Sequence, residues 1–578
     1  MKTKSFIIFL TLALCFSVLM LTGCVLCDHE GGVATCQSLA ICTKCEKPYG
    51  ETNPDNHSVK GSWWMDTKLH SCYYSCCDLN TYLRDPHVWD ETGLCTVCNY
   101  QCQHTGGVAT CMERAVCDNC NLHYGSLSDS VHVSFDQETC ICGNPINVSF
   151  VAVEGGYRIA NVPDYYQTFA IPETFCGQPV VQVGYQCFEN NKKLKEVTIP
   201  EGVTYIGYYA FQGCSNLTTV NFPSTLEKID GGAFRMCWAL EQLQLPQGIT
   251  SIGNATFEDC VKLQDFDLPS SLTTIGGATF KGCVGLKQMH LPEGITLVPG
   301  SIFSNCKNLT TVTMPASVTV IGGNAFDNCK QLETIQWPDN LQEIGDYAFS
   351  NCSKLKNVVF PDTLTQIHTF AFQNCTNLGN FILPQDLQYL GQYAFAGCTR
   401  ITSVSLPNML LQIGGNTFAG CTNLATVTLN GGLPTISRGM FKECDSLTEI
   451  VIPSSVKVIE ESAFLNCSKL QSVTFNEGLE QIERGAFNHC DQLVAVALPQ
   501  SVVSIGNFAF YCCYNLQSVS LGSKLQSIGD CAFGYCNLLG TLTYKGNTSA
   551  WQLVTKGTNW EYLVMATYVT CNDGNVNI

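Results

Sequence analysis

A phenylalanine recurs every 23 residues along most of this chain, sixteen times in succession. The positions are Phe188, Phe211, Phe234, Phe257, Phe280, Phe303, Phe326, Phe349, Phe372, Phe395, Phe418, Phe441, Phe464, Phe487, Phe510 and Phe533. A strict period of this length is typical of a solenoid, in which each repeat is one coil stacked on the last. The sequence therefore predicts a long repetitive surface rather than a domain built around one cleft.

Other positions keep the same register, and we number them from the Phe of each coil. Apolar residues recur at Phe+6, +9, +11, +15 and +18, and Pro follows at Phe+12 in most coils. The alternation at Phe+8 to Phe+11 predicts a strand with one buried face, which the Pro ends. A second extended segment is predicted at Phe+15 to Phe+18, and a short helix or 3₁₀ turn around the Phe. Stacked strands lie about 4.8 Å apart, so the sixteen coils should span on the order of 75 Å.

These residues resemble the BspA-like leucine-rich repeat. The segment from Cys214 to Phe234 shows the pattern C-x-x-L-x-x-V-x-L-P-x-x-L-x-x-I-G-x-x-A-F, with Phe222 at the third apolar position and Asp230 in place of Gly. The resemblance covers roughly residues 165–570. It implies a leucine-rich repeat solenoid, rich in parallel β-strands, and membership of a group of surface binding and adhesion proteins with diverse partners.

A cysteine lies three residues after each Phe from Cys214 to Cys536, and Asn191 takes this place in the first coil. Cysteine packs as a small hydrophobic residue, and Asn suggests a buried group that hydrogen-bonds the backbone. Side chains that project in parallel from neighbouring coils fit the dihedral angle of a disulfide poorly. We therefore interpret this ladder as buried free thiols rather than disulfides or metal ligands.

The N-terminus has the composition of an export signal. Lys2 and Lys4 precede an apolar run from Phe6 to Leu21, which predicts a signal peptide over residues 1–23. The run ends in Leu-Thr-Gly-Cys, which resembles a bacterial lipobox and implies a lipid on Cys24. The alternative is an ordinary secretory signal that happens to contain this cysteine. We predict an exported, cell-surface or extracellular protein that a lipid anchors to the membrane.

Residues 24–145 form a Cys/His-rich region in which one CxH…C…CxxC motif appears twice, 75 residues apart. Paired Cys and His ligands with a Cys-x-x-Cys spacing are typical of a tetrahedral structural zinc site. The predicted ligands are Cys27, His29, Cys42, Cys45, Cys102, His104, Cys117 and Cys120, which leaves Cys36 and Cys111 spare. The region resembles Cys/His-rich modules of surface proteins from gut Firmicutes. Disulfides are the alternative, because exported chains commonly form them.

The remaining boundaries follow from the repeat. We predict an N-terminal cap over residues 146–187, the sixteen-coil solenoid over 188–540 and a C-terminal cap over 541–578. The net charge of −18 argues against binding to nucleic acid and against passive adhesion to anionic membranes. Contact with a membrane is therefore expected through the lipid alone.

The sequence contains no catalytic motif, so an enzyme is not expected. The outward positions Phe+8 and Phe+10 carry mostly Thr, Ser, Asn and Gln, which suit shallow contacts with a protein or glycan of the host or of bacterial surfaces. The exceptions that we select as binding candidates are Val359, Ile382, Asp265 and Asp267. We predict a non-enzymatic surface protein that binds or adheres through its solenoid. A passive envelope scaffold without a specific ligand is the alternative.

The zinc prediction is tested by metal analysis of the purified mature chain. We expect about two zinc ions per chain, with one lost in each of the variants Cys42→Ser and Cys117→Ser. The spare residues supply the matched control, since Cys36→Ser should leave the zinc content unchanged. A chain without zinc, whose region 24–145 yields disulfide-linked peptides on mapping, would favour the alternative.

Overall fold

The computed structural model describes residues 148–175 and 177–578, together with the backbone of four short strands between residues 40 and 124. The chain divides into two compact units, one of residues 1–150 with 174–178 and one of residues 151–173 with 179–578. The second unit is a parallel-strand solenoid of about 18 turns, because a further turn lies at each end of the Phe-bearing coils. The predicted fold class is confirmed.

One side of each coil, which we call face A, is the strand predicted at Phe+8 to Phe+10. Its residues alternate, with the outer two exposed or half-buried and the central one packed inward, as in Glu196–Thr198. Neighbouring strands pair in parallel at a register of one full repeat. The strands are Thr168–Ala170, Glu196–Thr198, Thr219–Asn221, Gln288–His290, Thr311–Thr313, Thr334–Gln336, Ser403–Ser405, Thr426–Thr428, Glu449–Ile452, Ser472–Phe475, Ala495–Ala497, Ser518–Leu521, Thr541–Tyr544 and Tyr568–Cys571, with Gly574–Asn577 antiparallel at the end.

A second side, face B, is a ladder of parallel strands, most of them two residues long, at Phe+17 and Phe+18. The strands are Gly156–Asn161, Gln178–Val183, Tyr205–Ile206, Lys228–Ile229, Ser251–Ile252, Thr274–Ile275, Leu297–Val298, Val320–Ile321, Glu343–Ile344, Gln366–Ile367, Tyr389–Leu390, Gln412–Ile413, Thr435–Ile436, Val458–Ile459, Gln481–Ile482, Ser504–Ile505, Ser527–Ile528 and Thr555–Lys556. The strands Ser149–Val153 and Thr174–Phe175 complete this part of the chain.

The strand pairing of face B is interrupted at two places, and at each of them a proline lacks the backbone N–H that would donate to the preceding coil. At Phe+19 the N–H of Gly276 donates to the carbonyl of Ile252 in the preceding coil, at 2.8 Å. Pro299 occupies the same position one coil later, and the sheet ends between these two coils. Pro434 stands at Phe+16, another donor position, where the second break falls. Both breaks follow from the missing N–H of proline.

The third side of each coil, around the Phe, is a run of turns closed by separate i→i−3 bonds, such as that from Gln212 to Tyr209, so the turn alternative holds and a continuous helix does not form. The N–H of Phe211 donates to the carbonyl of Ala233 in the next coil, at 2.7 Å. The N–H groups two residues before and two residues after this Phe donate to the next coil in the same way, whereas Cys214 donates its N–H within the coil. Because alternate donors are committed to the neighbouring coil, the consecutive bonds of a helix cannot form.

We call these three bonds per junction the turn ladder. It recurs without interruption from the coil of Phe188 to the C-terminal turn, where the N–H of Phe533 donates to Trp560. The geometry needs positive φ two residues before and two residues after every Phe. Asn or Gly fills many of the later positions, as at Asn351, but Tyr347 and Phe370 adopt φ of 57° and 59° at the earlier one. A left-handed conformation costs such residues about 1–2 kcal/mol.

The Phe side chains stack along the axis of the solenoid. Successive ring centroids from Phe188 to Phe533 lie 4.6–5.9 Å apart, with interplanar angles of 21° or less. All of these rings are buried, as are the aliphatic residues at Phe+6, +15 and +18, such as Leu217, Leu226 and Ile229. Each coil therefore buries its apolar face against the next rather than within itself.

The cysteines at Phe+3 are buried and free, as interpreted from the sequence. Each thiol donates to the carbonyl of the Phe in the preceding coil, at 3.0–3.4 Å. That carbonyl also accepts the N–H of the cysteine in its own coil, as in the bond from Cys214 to Phe211. In the first coil the buried Asn191 replaces the thiol, and its Oδ1 accepts the N–H of Leu194 at 3.1 Å.

Buried aromatic residues lie at both ends of the stack. Phe169 packs edge-on against Phe188, with ring centroids 5.5 Å apart. At the other end Trp560 packs against Phe533 and Trp551. Trp551 belongs to the helix Thr548–Leu553, whose N-terminus is capped by the side chain of Asn547.

Among the described residues, the first unit contains two short antiparallel strand pairs at equivalent positions of the duplicated motif. Ala40–Ile41 pairs with Pro48–Tyr49, and Ala115–Val116 pairs with His123–Tyr124. The second pair repeats the first after 75 residues, the same interval as in the sequence.

The cysteine ladder predicts a loss of stability in alkali. Burial raises the pKa of Cys214 and of Cys421 to about 12, against a usual value of 9.0. Between these values the unfolded chain loses thiol protons that the folded chain keeps, so the free energy of unfolding falls as the pH rises from about 9 to about 12. Each thiol contributes up to about 1.4 kcal/mol per pH unit. Denaturant titrations across this pH range measure the effect.

The same burial predicts that the ladder thiols are inert in the folded chain. Alkylation at pH 8 followed by peptide mapping should leave them unmodified, whereas the half-buried Cys531, which lies outside the ladder, should react. After unfolding, all of them should react. Rapid alkylation of ladder cysteines in the native chain would contradict this account.

Candidate functional site

Face A carries the outward polar residues that the sequence singles out as a binding surface. Thr219, Thr334 and Thr426 are exposed, and the residues between the outer positions pack inward. Short uncharged side chains of this kind also occur wherever strands face solvent. The polar surface alone therefore does not define a site, and the interruptions in it are more informative.

The ladder of face A is interrupted twice for two coils at a time. Residues 242–244 and 265–267 form no strand, and neither do residues 357–359 and 380–382. The strand predicted at Phe+8 to Phe+10 is therefore wrong in these four coils. The two interruptions contain all four binding candidates chosen from the sequence, Asp265 and Asp267 in the first and Val359 and Ile382 in the second. A further gap separates Thr426–Thr428 from Glu449–Ile452.

Each interruption ends at a coil that carries an Asx–Phe pair at Phe+8 and Phe+9, Asp265-Phe266 in one and Asn380-Phe381 in the other. In the regular ladder the N–H groups at Phe+7 and Phe+8 donate to a backbone carbonyl, as Thr426 does to Thr402. At the interruptions they donate to the Asx side chain instead. Asx side chains compete with ladder bonds in this way, which accounts for the loss of pairing at these coils.

The first interruption opens a polar concavity of about 490 Å³, which we call the polar notch. Asp265 Oδ1 accepts the N–H of Lys287 at 2.6 Å and that of Gln288 at 2.9 Å. The carboxylate thus serves as a backbone acceptor, although the sequence placed it at an outward strand position. Glu241 and Lys262 form an ion pair across the notch at 3.1 Å. The lining residues are Glu241, Lys262, Gln264, Asp265, Gly285, Lys287 and Asn308.

The second interruption opens an apolar concavity of about 410 Å³, which we call the apolar notch. Val359 and Ile382 are 78% and 83% exposed, as the sequence predicts for outward residues on neighbouring coils. Asn380 Oδ1 accepts the N–H of Thr402 at 2.8 Å and that of Ser403 at 3.2 Å. The lining residues are Val358, Val359, Phe360, Asp362, Asn380, Phe381, Ile382, Leu383, Pro384 and Gln385.

Aromatic side chains pack beneath the apolar notch. Phe381 stacks on the buried Phe395 with centroids 4.6 Å apart, and Phe360 lies 5.6 Å from Phe381. Trp337 contacts Phe360 at 5.6 Å. These rings connect the lining of the notch to the central Phe stack, so the concavity has a rigid apolar base.

The predicted zinc ligands, Cys27, His29, Cys42, Cys45, Cys102, His104, Cys117 and Cys120, and the predicted lipidation site, Cys24, lie outside the described residues. Within residues 148–175 and 177–578 no group of three or more His, Cys, Asp or Glu side chains could hold a metal ion. Asp265 and Asp267 therefore have no third ligand nearby. Among the described helices, none is long and apolar enough to cross a membrane.

The sequence prediction missed the residues that create the notches. Asn380 and Phe381 occupy positions that the repeat pattern assigns to a regular strand, although the Asx–Phe pair at Phe+8 and Phe+9 occurs in the coils of Phe257 and Phe372 alone. That pair was the available signal. The sequence selects Asp265 as a charged exception on the outward face, but it does not predict the hydrogen bonds that Asp265 accepts from the next coil.

The fold is that of a leucine-rich repeat solenoid, and comparison with known proteins identifies the type. The model of the BspA type leucine rich repeat region matches residues 181–310, 250–361, 296–425 and 434–552, more than half of the chain. The chain belongs to this family. No curated protein matches it.

The chain is also similar to solved structures of leucine-rich repeat proteins. A leucine-rich repeat protein from Bacteroides ovatus is 26% identical with a TM-score of 0.51, over 73% of this chain and 98% of that one. A leucine rich cell surface protein from Faecalibacterium prausnitzii is 23% identical with a TM-score of 0.37, over 71% and 96%. A leucine-rich repeat protein from Eubacterium ventriosum is 23% identical with a TM-score of 0.40, over 63% and 92%.

The role of Asn380 is tested by the variant Asn380→Ala. Loss of the side-chain acceptor should leave two backbone donors of the next coil unpaired at a cost of about 1 kcal/mol. Hydrogen exchange should accelerate in peptides that contain Thr402 and Ser403, and the unfolding midpoint should fall. The control Thr426→Ala, on an intact strand, should change neither. Unchanged exchange at Thr402 and Ser403 would contradict the account.

Proposed function

We propose that this chain is a non-enzymatic surface protein that binds a protein or glycan ligand through face A. The observation that carries the proposal is the pair of notches, each of which opens where two successive coils of face A form no strand. A repeat selected for stacking alone has no need of exposed Val359 and Ile382, because Thr or Ser fills the same positions in other coils. Exposed apolar groups that contribute nothing to the core are typical of contact surfaces.

The regularity of the solenoid also supports binding rather than catalysis. The repeating positions are committed to the core, to the turn ladder or to the thiol bonds, so chemistry that varies from coil to coil is confined to outward residues. On face A these are short polar groups with few titratable side chains. Broad contact with an extended surface suits such a face better than the conversion of a small molecule.

The N-terminal part of the proposal rests on the sequence. We propose that residues 1–23 direct export and that Cys24 carries a lipid, which would hold the solenoid at the cell surface. We further propose that residues 24–145 bind structural zinc through the two duplicated motifs. Four protein ligands at each site leave no open position for a reactive water, so the metal would stabilise this region without a catalytic role.

The proposal is tested with arrays of host proteins, bacterial surface proteins and glycans. A face A variant carries arginine at Thr219, Thr334, Thr426 and Ser472, which are exposed strand positions. A matched face B variant carries arginine at Thr274, Gln366, Gln412 and Gln481, which are equally exposed. We expect specific ligands to lose at least about tenfold in affinity for the face A variant and to keep their affinity for the face B variant.

Two results would count against this function. Ligands that bind both the face A variant and a Val359→Thr/Ile382→Thr variant as well as the parent would place recognition outside face A. The absence of any ligand above background, with circular dichroism of the solenoid unchanged, would favour a passive envelope scaffold.

A further inference from the structure

The apolar notch combines three properties that narrow the chemistry of its ligand. It is a concavity with an aromatic base, it has two aliphatic side chains at its rim, and it lies where face A lacks backbone pairing. Val359 and Ile382 project from neighbouring coils, whose stacked Phe rings lie 5.2 Å apart. A single large side chain that lies across the two residues would contact both.

The rim favours an apolar polypeptide side chain over a sugar. Glycan sites use flat aromatic faces and polar groups, whereas the exposed residues here are branched aliphatics and the rings of Phe360 and Phe381 pack against other rings. Aliphatic surface gains most from contact with another apolar group that excludes water.

The apolar notch is bordered by acidic residues in the segments that come directly after the face A positions of each coil. Asp339, Asp362 and Asp386 are exposed in three successive coils, and in the described part of the chain their carboxylates take part in no ion pair or hydrogen bond. The segments 338–345, 361–368, 384–391 and 407–414 contain no Lys or Arg. On the other side Lys356 is already paired with Glu333 at 3.1 Å. A ligand that enters over this edge meets uncompensated negative charge.

We propose that the apolar notch docks a segment of a partner protein that presents one large aliphatic or aromatic side chain flanked by lysine or arginine. The apolar side chain lies across Val359 and Ile382 in the concavity, and the flanking cations lie beside Asp362 and Asp386. The charge of the chain as a whole, −18, adds attraction at a distance. This inference rests on the proposed function and specifies the partner for one site on face A.

The test uses short random peptides displayed on phage and selected on the immobilised full chain. We expect enrichment of sequences in which Leu, Ile, Met, Phe or Trp adjoins Lys or Arg. The affinity of a selected peptide, measured by fluorescence anisotropy, should fall at least about tenfold for the variant Val359→Thr/Ile382→Thr. It should fall severalfold for Asp362→Asn/Asp386→Asn, and binding to the parent should weaken with added salt.

Matched variants separate the notch from its surroundings. Val451 is also an exposed aliphatic residue at Phe+10, but it lies in the intact strand Glu449–Ile452, so Val451→Thr should leave the affinity unchanged. Glu449→Gln removes an exposed carboxylate from the same strand and should likewise have no effect. All of these side chains project into solvent, so the variants should unfold at the midpoint of the parent.

Three results would overturn the inference: no enrichment on the parent chain, enrichment of polar or acidic sequences, or equal affinity for the Val359→Thr/Ile382→Thr variant. A ligand found on the protein and glycan arrays that still depends on face A would then leave the proposed function standing. Failure of the arrays as well would remove both.

Discussion

The fold depends on the hydrogen bonds that pass from each turn around a Phe to the next. Faces A and B are ladders that start and stop, but the turn ladder continues from the coil of Phe188 to Trp560. Between the coils of Phe257 and Phe280 both faces are unpaired, and in the described residues the backbone bonds that join these coils are those of the turn ladder, with the side chain of Asp265 beside them. Positive φ at two residues per coil is the conformational cost of this arrangement.

Because the turn ladder is continuous, faces A and B can lose strand pairing in individual coils. Because the Phe stack, the thiol bonds and the turn ladder keep neighbouring coils in register, a coil can lose its face A pairing and remain in the stack. The Asx–Phe pairs use this freedom, since Asp265 and Asn380 replace a carbonyl acceptor with a side chain and open a concavity beside it. Function can thus vary along face A without change to the parts that hold the coils together.

The sequence predicts the regular parts of this structure and misses the parts that depart from the repeat. Periodicity is enough for the buried Phe, Leu and Ile positions, for the two extended segments and for buried free thiols. It is misleading around the Phe, where a short helix fits the spacing but the inter-coil bonds exclude it. Single residues of the sequence indicate the notches and the breaks at Pro299 and Pro434. A consensus of the repeat does not contain these residues and therefore misses both features. The hydrogen bonds that Asp265 accepts are not predictable from the sequence, because an Asp at an outward position can face either solvent or the next coil.

The bond from each thiol to the Phe carbonyl of the preceding coil limits the insertions and deletions that the solenoid can tolerate. From the coil of Phe188 to that of Phe533, the thiol bonds, the Phe stack and the turn ladder link equivalent positions at every junction, so deletion or duplication of one whole coil reconnects equivalent partners on both sides. An insertion or deletion of any other length in a core segment sets cysteine against the wrong carbonyl and shifts two ladders at once. Whole coils can therefore be gained or lost, and the position of a notch along the solenoid changed, while the thiol bonds, the Phe stack and the turn ladder are kept.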